Sequence, residues 1–311
     1  MRIVVHGQDA FGKAVLEKLL DRGEQVIAVC CAPDKPGKPE DPLKVFAREK
    51  GLALYQPKSW KTPEALELMK SFNADLCMMA YVLLFIPQPV LDAPKLGTFQ
   101  YHPSLLPLHR GPSSINWPIA MGSKRTGLTI FWPDEGLDEG PVLLQKSVEI
   151  GPDDTLGDVY FKRLFPMGVD AMIESLDLVK AGVLLKHKQN LAAGSYESWF
   201  KKDGAELDFA KPIADVYNTI RAANPAPGAW AMIKGTKLDI YDAALVSGTG
   251  AAGSILSVDA TGITVAGNGG AILAKRVKAP DGKKIAAAEY AQAAGLVVGD
   301  AFDAPLPKPA A

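Results

Sequence analysis

The chain opens on an unbroken apolar run, Ile3-Val4-Val5, closed by Gly7, and then changes period. From about residue 10 to 20 the apolar residues Leu16, Leu19 and Leu20 recur at helical spacing with charges between them, which predicts an amphipathic helix. Residues 25–31 return to a run, Val-Ile-Ala-Val-Cys, without polar alternation, as a strand buried on both faces requires. Helical patterns at 42–50 and 63–71 flank a short strand at 53–55, and 75–81 reads as another buried strand. Strands are also expected at 97–102, 127–132 and 142–148, followed by a long helical stretch over 156–180. Strands alternating with helices in this order predict an α/β fold with a doubly wound, mainly parallel sheet.

The pattern then changes character. Residues 184–205 lose periodicity and become polar and glycine-dotted, which predicts an interdomain linker. A short helix near 213–222 leads to strand-like pieces at 237–241, 253–258, 262–265 and 271–277, separated by glycine-rich turns, as in a small β-barrel. The expected organisation is a catalytic domain over 1–183, a linker over 184–205, a barrel domain over 206–305 and a disordered tail over 306–311.

Composition narrows the functional classes. With 311 residues, 48% hydrophobic and 22% charged, the chain suits a soluble two-domain protein. A formal net charge of −1 gives no global basic surface to draw it to nucleic acid or anionic lipid. Cys30, Cys31 and Cys77 all lie in apolar runs; they form neither a disulfide framework nor a metal knuckle, and a reducing cytoplasm is expected. The opening strand lacks signal-peptide character, and no apolar run is long enough to span a bilayer, so no membrane partner is expected.

The chemistry concentrates in two segments, Gln100-Tyr101-His102-Pro103-Ser104-Leu105-Leu106-Pro107 and Gly136-Leu137-Asp138-Glu139-Gly140. A histidine at the carboxyl end of a strand and a carboxylate in a glycine-framed loop make a proton-handling pair if the fold brings them together. His6 sits at another strand end, near enough to be a neighbour of such a site; His187 falls in the linker and is expected to be solvated. The four histidines offer no ligand spacing, and no metal is expected. Gly7 and Gly12 do not make the Gly-x-Gly-x-x-Gly pattern, so no nicotinamide cofactor is expected either. Arg110 has two readings, a brace for the proline turn through backbone carbonyls or a ligand contact. Trp117, Trp132 and Trp230 read as packing residues.

Both segments, extended through His109-Arg110-Gly111 and Pro141, resemble the signatures of the 10-formyltetrahydrofolate-dependent formyltransferases, whose pattern is Asn-x-His, Ser-Leu-Leu-Pro, Arg-Gly and Gly-Leu-Asp-x-Gly. His6-Gly7-Gln8, Pro33-Asp34-Lys35-Pro36-Gly37-Lys38, Phe85-Ile86-Pro87, Ile115-Asn116-Trp117 and Pro227-Gly228-Ala229-Trp230 are similar to one branch, the hydrolase domain of 10-formyltetrahydrofolate dehydrogenase. The resemblance runs in order from residue 1 to about residue 290, also overlapping much of the methionyl-tRNA formyltransferase pattern. It implies a Rossmann-like formyltransferase domain followed by an OB-like barrel, with 10-formyltetrahydrofolate as formyl donor. It further implies that His102 and Asp138 handle the proton steps, that Ser104 orients His102 or water, and that Phe85, Ile86 and Pro87 line a pterin pocket. Arg110, Gly136 and Leu137 complete the expected folate-contacting set.

Gln100 departs from the pattern, standing where the transferases carry asparagine. It keeps the amide and adds a methylene, so it either substitutes for the oxyanion donor or turns away from the site. The loop 34–41 carries two lysines against three acids and is a poor clamp for tRNA, which favours water or a small molecule over tRNA. Water is the expected acceptor, giving formate and tetrahydrofolate, and transfer to an amine, of methionyl-tRNA or an amino sugar, is the alternative. Ending as it does, the chain is expected to leave the formyl group unoxidised, with a thiol-carrying partner left open. A folate-binding protein without turnover is the alternative from another class.

Overall fold

The computed structural model describes residues 1–280 and 282–305; the tail expected at 306–311 lies outside the described residues. Seven strands form the main sheet: β1 (Arg2–Gly7), β2 (Gln25–Cys30), β3 (Leu54–Tyr55), β4 (Leu76–Ala80), β5 (Thr98–His102), β6 (Arg125–Phe131) and β7 (Val142–Glu149). Their order is β3-β2-β1-β4-β5-β6-β7. The first five are mutually parallel, and β6 runs antiparallel to β5 with His102 opposite Thr129. The mainly parallel, doubly wound sheet is therefore present. The chain leaves β1 for β2 on one side and crosses to β4 on the other, which makes the carboxyl ends of β1 and β4 the topological switch point, the place where such sheets bind ligands.

The strands lack polar alternation because both faces are covered. Ile3, Val5, Met78, Phe99 and Tyr101 join one core with α1 (Asp9–Asp21) and the helix Phe165–Lys180. Val4, Ala28, Cys30, Cys77 and Met79 join the other with Trp60 and the helices after it. Helix α2 (Pro42–Glu49) starts on Asp41, whose carboxylate accepts from Leu43 N–H and from Asp9 N–H. Helix α3 (Pro63–Ser71) starts on Thr62, and both helices carry proline in the first turn, where its missing N–H costs nothing. A short helix α4 (Gln88–Leu91) accepts the Thr98 hydroxyl at its Leu91 carbonyl, 2.7 Å.

The stretch expected as one helix over 156–180 is divided. Leu156–Val159 is α-helical behind a Thr155–Asp158 capping box, Tyr160–Leu164 is a π turn, and the α-helix resumes at Phe165. Pro166 lacks an N–H, and its ring disfavours the normal position of the carbonyl four residues back, so the wider turn falls where proline disrupts the ladder.

Two compact units divide the chain: residues 1–114, 127–148 and 161–197 in one, and 115–126, 149–160 and 198–311 in the other. The second contains the helix Ile213–Ala222 and two four-stranded antiparallel sheets, as a small barrel-like domain requires. Three of its strands, Ala229–Ile233, Ala243–Val246 and Lys284–Ala286, and the helix Ala287–Ala294 are additions to the expected pattern. The three strands are short and carry alanine, which has little strand preference, so no strand pattern marks them. No helix among the described residues is long and apolar enough to cross a membrane.

Candidate active site

His102 ends β5 on the same sheet face as Thr98 and Gln100, and is buried. Its Nε2 lies 3.0 Å from the carbonyl oxygen of His109. A carbonyl only accepts, so Nε2 carries the proton and Nδ1 is left facing the other way. There Nδ1 meets Asp138 Oδ2 at 3.7 Å. The structure thus brings together the two residues that sequence spacing left 36 positions apart.

Asp138 is held as firmly as the histidine. Its Oδ2 accepts from Gly111 N–H, 2.9 Å, and its own carbonyl accepts from the buried Gln189 amide, 3.0 Å. Gln189 also donates to Gly140, 2.7 Å, and so clamps the loop on both sides of the carboxylate. Gly140 is required by close approach, since a Cβ there would lie 1.9 Å from the Trp132 carbonyl oxygen. Asp138 itself has φ +57°, a left-handed conformation that aspartate tolerates better than most residues. Tyr81 after β4 and His109 share that strained region (φ +66° and +55°) and fall in loops at the carboxyl edge of the sheet.

Other expected site residues are distributed more variously. Ser104 is buried and donates its hydroxyl to the Leu108 carbonyl, 2.7 Å, so it braces the proline turn. Arg110 donates Nε–H to Ser195 C=O, 3.3 Å, and ion-pairs with Glu139, the bracing reading of that residue. Gln100 pairs through its backbone with β4 and β6, and its side-chain amide has no hydrogen-bond partner among the described residues. Phe85 is exposed beneath the Lys61 ammonium, 5.1 Å from its centroid, whereas the Ile86 side chain is buried in the core and Pro87 precedes α4. Leu83, Leu84 and Leu137 are exposed as well, and Gly136 is half-buried. A cleft of about 390 Å³ beside Gly136 is lined by Gln88, Asp134, Glu135 and Glu139, an acidic wall unsuited to an anionic group.

His6, next to the last residue of β1, packs on Trp60, ring centroids 4.8 Å apart; burial pulls it down to about 3, so its ring is neutral. His187 is exposed at its side chain, but its backbone pairs with Val142. Trp132 and Trp230 donate their indole N–H groups to Leu185 and Lys202 carbonyls, and Trp117 to Ser198, each at 2.8 Å, as packing residues do. No group of three metal-ligating side chains occurs among the described residues. Sequence reasoning missed Gln189, and with it Ser195 and Glu197, because these polar residues lie in an aperiodic stretch.

A backbone-braced histidine thus faces a carboxylate at the carboxyl edge of a mainly parallel sheet. The chain belongs to the formyl transferase family: it matches the Formyl transferase domain over residues 1–176 and the Formyl transferase C-terminal domain over 200–295. It is 36% identical over 305 residues to the mitochondrial 10-formyltetrahydrofolate dehydrogenase of Mus musculus, covering 93% of this chain and 33% of that protein. It is also 36% identical over 295 residues to the methionyl-tRNA formyltransferase of Geotalea uraniireducens, covering 93% of this chain and 94% of that one. The chain thus spans about a third of the length of the dehydrogenases it matches. HypX from Aquifex aeolicus, solved with tetrahydrofolic acid, shares the fold with a TM-score of 0.68 at 17% identity, covering 100% of this chain and 50% of that one. An N-formyltransferase from Helicobacter canadensis does so with 0.66 at 19%, covering 88% of this chain and 98% of that one.

Proposed function

We propose that the chain takes the formyl group of 10-formyltetrahydrofolate and passes it to water, releasing formate and tetrahydrofolate in a reducing, cytoplasmic setting. The observation that carries this reading is the His102–Asp138 pair, each member fixed by backbone groups and separated by 3.7 Å. Water attacks the formyl carbon and gives up a proton to Asp138. The carbonyl becomes an oxyanion, the C–N10 bond breaks as it collapses, and Asp138 returns the proton to N10. His102, with its proton held on Nε2, presents Nδ1 to orient the water. Gln100, on the same face two residues before His102, is the amide available to the oxyanion. The exposed apolar surface of Leu83, Leu84 and Phe85 suits a flat heterocycle.

The acceptor is argued from charge. In the loop after β2, Asp34 and Glu40 engage Lys44 at 2.5 and 2.8 Å, and Glu40 also engages Arg48 at 2.9 Å. These pairs occupy the α2 cations beside the loop, leaving Lys35 and Lys38 as its unpaired cations among the described residues against the acids of the loop, a charge balance that supports water over tRNA. A second reading, transfer to an amine such as that of methionyl-tRNA, is supported by the 36% identity to a methionyl-tRNA formyltransferase over 295 residues. Formate release from 10-formyltetrahydrofolate with water as sole acceptor, lost in Asp138→Asn, is the expected result. Folate binding without release would displace hydrolysis in favour of the amine reading; acceptor affinity that falls with salt would then mark tRNA.

A further inference from the structure

We propose that Glu197 and Ser195 are positioning residues for His102, acting through the backbone of His109; the catalytic part of this inference rests on the function proposed above. The carbonyl that fixes the His102 proton belongs to His109, a non-glycine residue in the left-handed region. Such a conformation persists only where its surroundings hold it. Here the hold comes from the strap 194–197.

The His109 ring donates Nδ1–H to Glu197 Oε2, 3.2 Å, with both side chains largely buried. The His109 N–H donates to the Ser195 hydroxyl, 2.9 Å. On either side the backbones are laced together: Ser195 N–H to Pro107 C=O at 3.1 Å, Arg110 N–H to Ser195 C=O at 3.1 Å, and Glu197 N–H to Arg110 C=O at 3.2 Å. The fit leaves no slack. Gly111, at φ +100°, would place a Cβ 2.5 Å from the Glu197 carbonyl oxygen, and its N–H holds Asp138. One strap therefore sets the carbonyl that orients His102 and packs against the amide that orients Asp138.

A group that acts only by aiming another should change turnover and leave substrate binding alone. Displacing catalytic groups by about an ångström costs on the order of 10²-fold in rate. Glu197→Ala is expected to lower kcat for formate release about 10- to 100-fold with the folate KM unchanged, and Glu197→Gln, whose amide oxygen still accepts from His109, to restore most of it. Proton NMR supplies a readout independent of activity. The His102 Nε2–H resonance should be protected from solvent exchange in the native chain and in Glu197→Gln, and lose that protection in Glu197→Ala.

Ser195→Ala removes a single hydroxyl and reads the same arm should Glu197→Ala fail to fold; a several-fold loss of kcat at constant KM is expected. Wild-type kcat and a protected imidazole proton in Glu197→Ala, or in Ser195→Ala where the former does not fold, would overturn the proposal. Absence of formate release from the native chain, with the NMR difference intact, would instead remove the functional reading and leave the positioning role standing.

Discussion

The proton on His102 is settled by one acceptor. Because the His109 carbonyl occupies Nε2, only Nδ1 is left to face Asp138, and which nitrogen the ring presents to the carboxylate follows from a backbone atom. Asp138→Asn keeps a group that accepts from Gly111 N–H but removes the base; folate should still bind while turnover falls by about 10²-fold or more, measured as formate release. Gln100 poses a different question, since its amide is uncommitted and shares the face of His102. Gln100→Asn shortens the reach by one methylene. Faster formyl transfer in the variant would show that the longer side chain had been limiting, and an unchanged rate would place the position outside the oxyanion site.

At the level of elements, Asp41 links two helices with one carboxylate, capping α2 at Leu43 and holding the start of α1 at Asp9. Asp41→Ala is expected to lower stability by about 1–2 kcal/mol, read from urea unfolding; a smaller change would mean water replaces the cap. The strands of the main sheet were legible in the sequence because burial on both faces erases polar alternation, as in Val-Ile-Ala-Val-Cys of β2. His102 and Asp138 stood out as a candidate pair through a proline turn and a pair of glycines, and their expected role came from the resemblance to the formyltransferase signatures. What the sequence spacing could not give was their approach to 3.7 Å. The strap at 194–197 was not. Its contacts to the turn run largely through N–H and C=O groups that any residue supplies, so no side-chain periodicity marks it. The π turn before Pro166 was equally hidden, since apolar spacing through Leu164 and Val169 reads as ordinary helix.

For the whole molecule, pH acts on stability through a residue outside the proposed chemistry. Burial holds His6 neutral down to about 3, whereas an unfolded imidazole takes its proton near the ordinary 6.5. Between those values the unfolded state binds more protons, so this group's contribution to stability falls as pH falls, by up to about 1.4 kcal/mol per pH unit. Urea midpoints measured from pH 7 to pH 5 should decline, and His6→Gln should decline less steeply. An identical slope in the variant would assign the acid sensitivity elsewhere.

The three cysteines give the main sheet a reporter of its own opening. Burial drives the Cys30 thiol well above its ordinary value and pushes Cys31 and Cys77 up to about 12, so at pH 8 the closed sheet offers almost no thiolate to a disulfide reagent. Cys30 lies on β2 and Cys77 on β4, the two strands that flank β1. Labelling of these thiols therefore has to wait for the layers to part, and its rate measures how often the central strands breathe. Native protein should react far more slowly than protein in denaturant; prompt labelling without denaturant would mean that the sheet parts readily. A chemical clock of this kind needs no engineered probe, and it reads the part of the chain on which the strand carrying His102 is laid.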